Sequence, residues 1–97
     1  MRRGALEIDA SLDLHGMTQD RARAAVESFL ADSQAQGCRV VLVVTGKGRA
    51  GEEGVLKRRL PDWLAGRLAR PLVAGFAQAH ARHGGGGAVY VFLKRPV

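Results

Sequence analysis

An aspartate and a histidine stand two residues apart in the segment Leu12-Asp13-Leu14-His15-Gly16. The alternating pattern before the glycine is typical of a strand, so both side chains should point to the same face of a sheet. A carboxylate beside an imidazole at a strand end can transfer protons or hold a phosphate. In the simpler alternative, Asp13 only accepts hydrogen bonds from the turn amides of Gly16 and Met17.

A second motif, Thr45-Gly46-Lys47-Gly48-Arg49, follows the apolar run of residues 40–44. Closely spaced glycines let backbone N–H groups converge on an anion, and Lys47 and Arg49 add positive charge. The segment lacks the GxxxxGK[ST] pattern of a P-loop, which argues against nucleotide hydrolysis of that type. The alternative is a flexible loop that only connects a strand to a helix.

A third motif begins with His83 and continues into four consecutive glycines, residues 84–87. Glycines allow a backbone to approach a ligand closely, although the run could also be only a flexible hairpin tip. His83 could act with His15 as the general acid and the general base on a phosphodiester. The predicted phosphate-binding residues of this segment are Arg82, Gly84 and Gly85.

The charge of the chain favours a polyanionic partner. Its 97 residues carry 15 Lys and Arg against 9 Asp and Glu, a net charge of +6. The surplus lies in residues 54–97, which hold eight basic side chains and one acid, Asp62. DNA or RNA is therefore the predicted partner, with a solvated basic surface as the alternative. Further backbone contacts are predicted for Lys57, Arg58, Arg59, Lys94 and Arg95.

Other classes of protein fit the sequence less well. The chain has no apolar run of the ~20 residues that span a membrane, and its N-terminus lacks the apolar part of a signal peptide. The single cysteine, Cys38, cannot form an internal disulfide. We expect a cytoplasmic monomer without a membrane partner. No zinc-ligand spacing is present, so no metal ligand or cofactor is assigned; Mg²⁺ or Mn²⁺ held by Asp13 with substrate phosphates is left open.

The elements that would position these motifs follow the order β-α-β-α-β-β. Residues 1–10 are predicted as an N-terminal arm and residues 11–97 as one domain. The predicted strands cover residues 11–15, 40–44, 72–77 and 88–94, and the predicted helices cover residues 18–37 and 54–65. We expect Pro61 to kink the second helix or divide it into two pieces.

The strand-helix-strand units imply parallel pairing, and the last two strands are close enough for an antiparallel hairpin. Two helices would cover one face of a four-stranded mixed sheet. The three motifs would then follow three strand ends at one edge, where open α/β sheets bind ligands. The aromatic residues Trp63, Phe76, Tyr90 and Phe92 are assigned mainly to the core, with base stacking as the alternative for Tyr90.

In this order the motifs resemble the Smr (small MutS-related) domain, above all its stand-alone bacterial form. The resemblance extends from the first motif to Arg95. It is carried by the first two motifs, by Val55-Leu56-Lys57 with Pro61 and Trp63-Leu64, and by the run from His83 to Arg95. It implies a two-layer β-α-β-α-β-β sandwich, similar to the C-terminal domain of translation initiation factor three. The active-site residues that it implies are Asp13 with His15, the turn residues Gly46 and Gly48, and His83 with Gly84.

Members of this family are associated with nicking of DNA and, in some branches, with endonucleolytic cleavage of RNA. The leading hypothesis is therefore an endonuclease in which Asp13 orients His15 and His83 takes the complementary proton-transfer role. Lys47, Arg49 and the glycine amides would stabilise the developing charge. The alternative is a non-catalytic module that binds DNA, RNA or the ribosome, and a third class is a protein-interaction domain. The stand-alone form often carries an extra N-terminal segment, so attachment to such a segment is also expected.

Overall fold

The computed structural model describes residues 6–46 and 52–96 of the chain. Its strands are β1 (Ala10–Asp13), β2 (Val40–Val44), β3 (Val73–Gln78) and β4 (Ala88–Leu93). Its helices are α1 (Gln19–Ala35) and α2 (Glu52–Leu64). Short 3₁₀ turns cover Arg70–Leu72, Ala81–His83 and Gly85–Gly87.

The strands form a mixed sheet in the order β1-β2-β4-β3. Strand β1 runs parallel to β2, and β4 runs antiparallel to both β2 and β3. The predicted four-stranded α/β architecture and the β3–β4 hairpin are therefore confirmed. Because β1, β2 and β3 point the same way, their carboxyl ends and the start of β4 share one side of the sheet, called the motif edge below.

The helices cover one face of this sheet. Helix α1 begins after Thr18, whose hydroxyl oxygen accepts a hydrogen bond from the Arg21 amide at 3.4 Å. Its buried residues Ala22, Val26 and Leu30 recur every four positions and pack in the main core. That core also contains Leu14, Val41, Val43, Leu56, Leu60 and Val91, all buried.

Pro61 does not divide the second helix, so that part of the prediction is wrong. Helix α2 is a single run of 13 residues with Pro61 in its last turn. Proline removes one backbone hydrogen bond, but only three helical residues follow it. Buried Leu60, Trp63 and Leu64 surround Pro61 in sequence and hold this turn on the core. Tertiary packing therefore outweighs the local preference for a break.

The opposite face carries a smaller apolar cluster and the last residues of the predicted arm. Ala79, Ala88 and Tyr90 are buried there, and Ile8 packs against them. The Asp9 carboxylate accepts hydrogen bonds from the amides of Val40 (3.0 Å) and Arg39 (2.8 Å). These bonds favour the charged form and lower the pKa of Asp9. Within the described residues, no helix is both long and apolar enough to cross a membrane.

Candidate functional site

The first motif forms a fixed turn between β1 and α1. Leu14 is buried, and its amide continues the pairing with β2 by donating to the Val44 carbonyl at 2.8 Å. Asp13 and His15 are exposed on the other side of the chain. The Asp13 Oδ1 atom accepts a hydrogen bond from the backbone N–H of His15 at 2.8 Å. This bond sets the direction in which the chain leaves the strand.

The second motif is joined to the third through one carbonyl. The amides of Thr45 and Gly46 both donate to the Gly87 carbonyl, at 2.9 and 3.1 Å. Thr45 is buried, and its hydroxyl donates to the Gly46 carbonyl at 3.1 Å. The Gly46 amide therefore donates within the protein and not to a phosphate, and the role of Gly46 is to shape the turn. The remaining predicted residues of this motif, Lys47, Gly48 and Arg49, lie outside the described residues.

The glycine run has a defined backbone in place of an irregular hairpin tip. It forms a 3₁₀ turn, Gly85–Gly87, directly after the turn Ala81–His83. Gly84 connects the two turns at a φ of +117°, and a Cβ atom there would lie 2.9 Å from the Ala88 Cβ. The Gly85 amide donates to the His80 carbonyl at 3.0 Å. Glycine at position 84 is therefore needed for both backbone conformation and space.

Tyr90 holds His83 in place, a role that the sequence did not reveal. The His83 Nδ1 atom lies 2.7 Å from the Tyr90 hydroxyl oxygen, which also accepts a hydrogen bond from the His80 amide at 2.9 Å. The two rings meet edge to face, with centroids 5.6 Å apart. Tyr90 is only 8% exposed, so the alternative of base stacking on its ring is wrong. Nδ1 is the ring nitrogen that this contact engages.

The backbones of the three motifs lie side by side. Asp13 pairs with Val44, and Val44 pairs with Ala88. Neighbouring strands are about 4.8 Å apart, so the Cα atoms of Asp13 and Ala88 are separated by about 10 Å. His15 extends from one side of this span, and the turn that carries His83 packs on the other. The connections that carry His15 and His83 therefore both begin at the motif edge.

Not every predicted residue lies at this edge. Arg82 is exposed beside His83, whereas Lys94 and Arg95 follow the end of β4. Because β4 is antiparallel to its neighbours and has six residues, its two ends are about 20 Å apart. The Lys94 carbonyl instead accepts a hydrogen bond from Gln34 in the last part of α1 at 2.9 Å. The structure therefore does not bring Lys94 and Arg95 to the predicted site.

Among the side chains that the structure describes, in residues 6–46 and 54–96, no three of the histidine, cysteine, aspartate or glutamate type come together as a metal site. The first motif supplies one carboxylate, Asp13, and that group already accepts the hydrogen bond from His15.

Sequence comparison assigns this arrangement to a family. Residues 12–94 match the family model described as the Smr domain. The chain belongs to the Smr domain family. The architecture agrees with solved Smr structures. The domain is similar to YdaL, a stand-alone small MutS-related protein from Escherichia coli, with a TM-score of 0.82, 32% identity, and coverage of 95% of this chain and 70% of that one.

The Smr domain of Thermus thermophilus MutS2 is also similar, with a TM-score of 0.76 and 28% identity over 88% of this chain and 98% of that one. Curated relatives include ribosome rescue factor SmrB of Aliivibrio fischeri, which is 36% identical over 96 residues. The protein of the same name from Tolumonas auensis is 34% identical over 97 residues. These alignments cover 99% and 100% of this chain, which spans about half of each relative, 50% and 52%.

Proposed function

We propose that this Smr domain binds RNA at the ribosome through its motif edge. The observation that carries the proposal is the joining of three motifs, predicted separately for anion binding, by backbone hydrogen bonds. The Leu14 amide bonds to Val44, the last residue of β2 directly before the second motif, and the amides of Thr45 and Gly46 bond to Gly87. The names of the relatives, ribosome rescue factors, support RNA as the nucleic acid and the ribosome as its setting.

Charge supports an anionic ligand at this edge. Of the eight basic side chains in residues 54–97, Lys94 and Arg95 follow the far end of β4, whereas Lys57 reaches the glycine turn of the motif edge. Arg82 stands beside His83, and α1 begins three residues after Gly16, so the positive end of its dipole faces the same side. Neutralising RNA phosphates with such residues releases counterions and makes affinity fall as salt rises.

Cleavage of the bound RNA strand is the second candidate function. It is favoured because hydrogen bonds fix the two turns that carry His15 and His83. Tyr90 fixes the His83 ring, and Asp13 fixes the backbone turn that presents His15. In RNA, one imidazole would remove the proton of the 2′-hydroxyl while that oxygen bonds to phosphorus. The other would protonate the leaving 5′-oxygen as its bond to phosphorus breaks. Lys47 and Arg49 are the proposed partners of the charge that develops on the phosphate.

The test measures binding and cleavage in the same samples. Wild type is mixed with a structured RNA, a matched DNA and purified ribosomes over a range of salt concentrations, with and without chelator. We expect salt-dependent RNA binding. If the domain also cleaves, Asp13→Ala, His15→Ala and His83→Ala should abolish the product and largely keep the affinity. Asp32→Ala is a matched control for Asp13→Ala, because it removes an exposed carboxylate far from the motif edge.

The two candidate functions fail in different ways. No affinity for RNA or ribosomes at low salt would overturn the binding proposal and favour a protein-interaction domain. RNA binding without product under any metal condition would leave the binding proposal standing and remove the cleavage candidate.

A further inference from the structure

A groove lies between α2 and the edge strand β3, on the face of the sheet that the helices cover. It encloses about 200 Å³, and its walls include Lys57, Pro61, Phe76, Gln78 and Gly86. Phe76 is 47% exposed there, so its assignment to the core is wrong. Its partner Val91 is buried in a central strand, whereas Phe76 lies on the outermost strand, where its ring remains open to solvent.

The groove is continuous with the motif edge through the glycine turn. Gly86 lines the groove, and the next residue, Gly87, bonds to Thr45 and Gly46 of the second motif. Lys57 reaches the same turn, because its Nζ atom lies 3.7 Å from where a Cβ atom of Gly86 would be. A strand bound at the motif edge could therefore pass over the glycine turn into the groove.

We propose that this groove binds a nucleobase of the RNA strand whose phosphate lies at the motif edge. The base stacks on the exposed ring of Phe76, and an adjoining phosphate lies near Lys57. The Gln78 amide offers both donors and acceptors to the edge of the base. This inference rests on the proposed function and adds a subsite to it.

Size and charge favour a base over a protein segment. Pockets for drug-sized ligands hold roughly 300–1,000 Å³, so a groove of about 200 Å³ suits one planar ring system. Every base has a face that can stack on an aromatic ring, and such stacking is largely independent of sequence. Lys57 in the wall of the groove adds a positive charge that complements a polyanion.

The test compares affinities of the full chain for a labelled single-stranded RNA. We expect Phe76→Ala to weaken binding about 5- to 100-fold without changing its salt dependence, because the lost contact is uncharged. Phe76→Tyr should keep the affinity. Leu68→Ala is the matched control, since Leu68 is an equally apolar and 63% exposed residue outside the groove. Lys57→Gln should lower the salt slope by about one phosphate contact.

Two additions make the result decisive. Phe76→Leu keeps an apolar side chain but lacks a ring, so it should show the same 5- to 100-fold loss of affinity, about the value expected for loss of stacking. Because leucine retains the apolar packing, this variant tests the subsite even if Phe76→Ala folds poorly. An RNA with abasic sites should bind wild type and Phe76→Leu equally, because the stacking partner is gone.

Wild-type affinity of both Phe76→Ala and Phe76→Leu would overturn the base subsite while RNA binding by wild type stands. The groove would then be assigned to binding a side chain of a protein partner. An equal loss on abasic RNA would also overturn it, since the lost contact would not be a base. No RNA binding by wild type would overturn both this inference and the proposed function.

Discussion

The contact between His83 and Tyr90 shows how one hydroxyl can hold an imidazole in place. A tyrosine hydroxyl both donates and accepts, so its hydrogen bond to Nδ1 can persist when His83 is neutral and when it is protonated. The His80 amide donates to the same oxygen at 2.9 Å and holds it in position. Tyr90 is therefore a positioning residue for His83, buried beneath it.

Tyr90→Phe tests this role because it removes the hydroxyl and keeps the ring. We expect the orientation of the His83 ring to become less defined, and stability to fall by about 1 kcal/mol because the His80 amide loses its acceptor. NOE contacts of the His83 ring protons in NMR spectra measure the first effect, and denaturant unfolding measures the second. The His15 ring signals serve as an internal control and should keep their wild-type chemical shifts. Unchanged NOE contacts of the His83 ring would contradict the positioning role.

At the scale of the elements, the glycine turn holds the second and third motifs together. The Gly87 carbonyl accepts from two residues that follow β2, and the Gly87 amide donates to the Gly84 carbonyl at 3.0 Å. The conformation of Gly84 is therefore transmitted to both motifs through Gly87. A change at this glycine should affect the backbone of the whole motif edge.

Gly84→Ala should destabilise the domain by about 2–3 kcal/mol and weaken RNA binding. The added Cβ atom would lie 2.9 Å from the Ala88 Cβ, at a φ of +117°. Gly85→Ala is the control, because its φ of +54° lies in the left-handed helical region and nothing lies within 4 Å of its added Cβ. That variant should lose only about 1 kcal/mol. Equal losses of free energy of unfolding in the two variants would contradict a steric role for Gly84.

The elements themselves were largely predictable from sequence periodicity, and their placement in space was less so. The apolar run Val40–Val44 indicates a strand covered on both faces, and β2 is indeed an inner strand. Pro61 predicts a break when only its local backbone preference is considered. The burial of Leu60 and Trp63 beside it, which holds the helix together, depends on tertiary packing. The apolar residues of β3 do not show that this strand lies at an edge of the sheet, and for this reason the sequence predicts Phe76 in the core.

The same limit applies to the candidate site. The convergence of three motifs could be predicted, because it depends only on strand direction. The contact of His83 with Tyr90 could not, since it depends on how the chain folds back between β3 and β4. The contact predicted for Lys94 depends on its charge alone, whereas the direction of β4 carries this residue to the far edge.

At the scale of the whole molecule, the two edges of the sheet are electrostatically separate. The ends of β4 are about 20 Å apart, which exceeds the Debye length of about 8 Å at physiological salt. Exposed charges at the far edge should therefore contribute little to an anion held at the motif edge. If binding depended on net charge alone, the loss of any exposed arginine would weaken RNA binding equally. Removing arginines at the two edges therefore tests whether their position matters.

Arg82→Gln and Arg95→Gln form a matched pair for this test. Both residues are exposed and both changes remove one positive charge, but Arg82 lies beside His83 and Arg95 follows the far end of β4. We expect Arg82→Gln to weaken RNA binding and lower the salt slope by about one, and Arg95→Gln to leave both near wild type. The measurement is affinity for a short RNA from low to physiological salt. Equal losses in the two variants would indicate binding by net charge, without a defined motif edge.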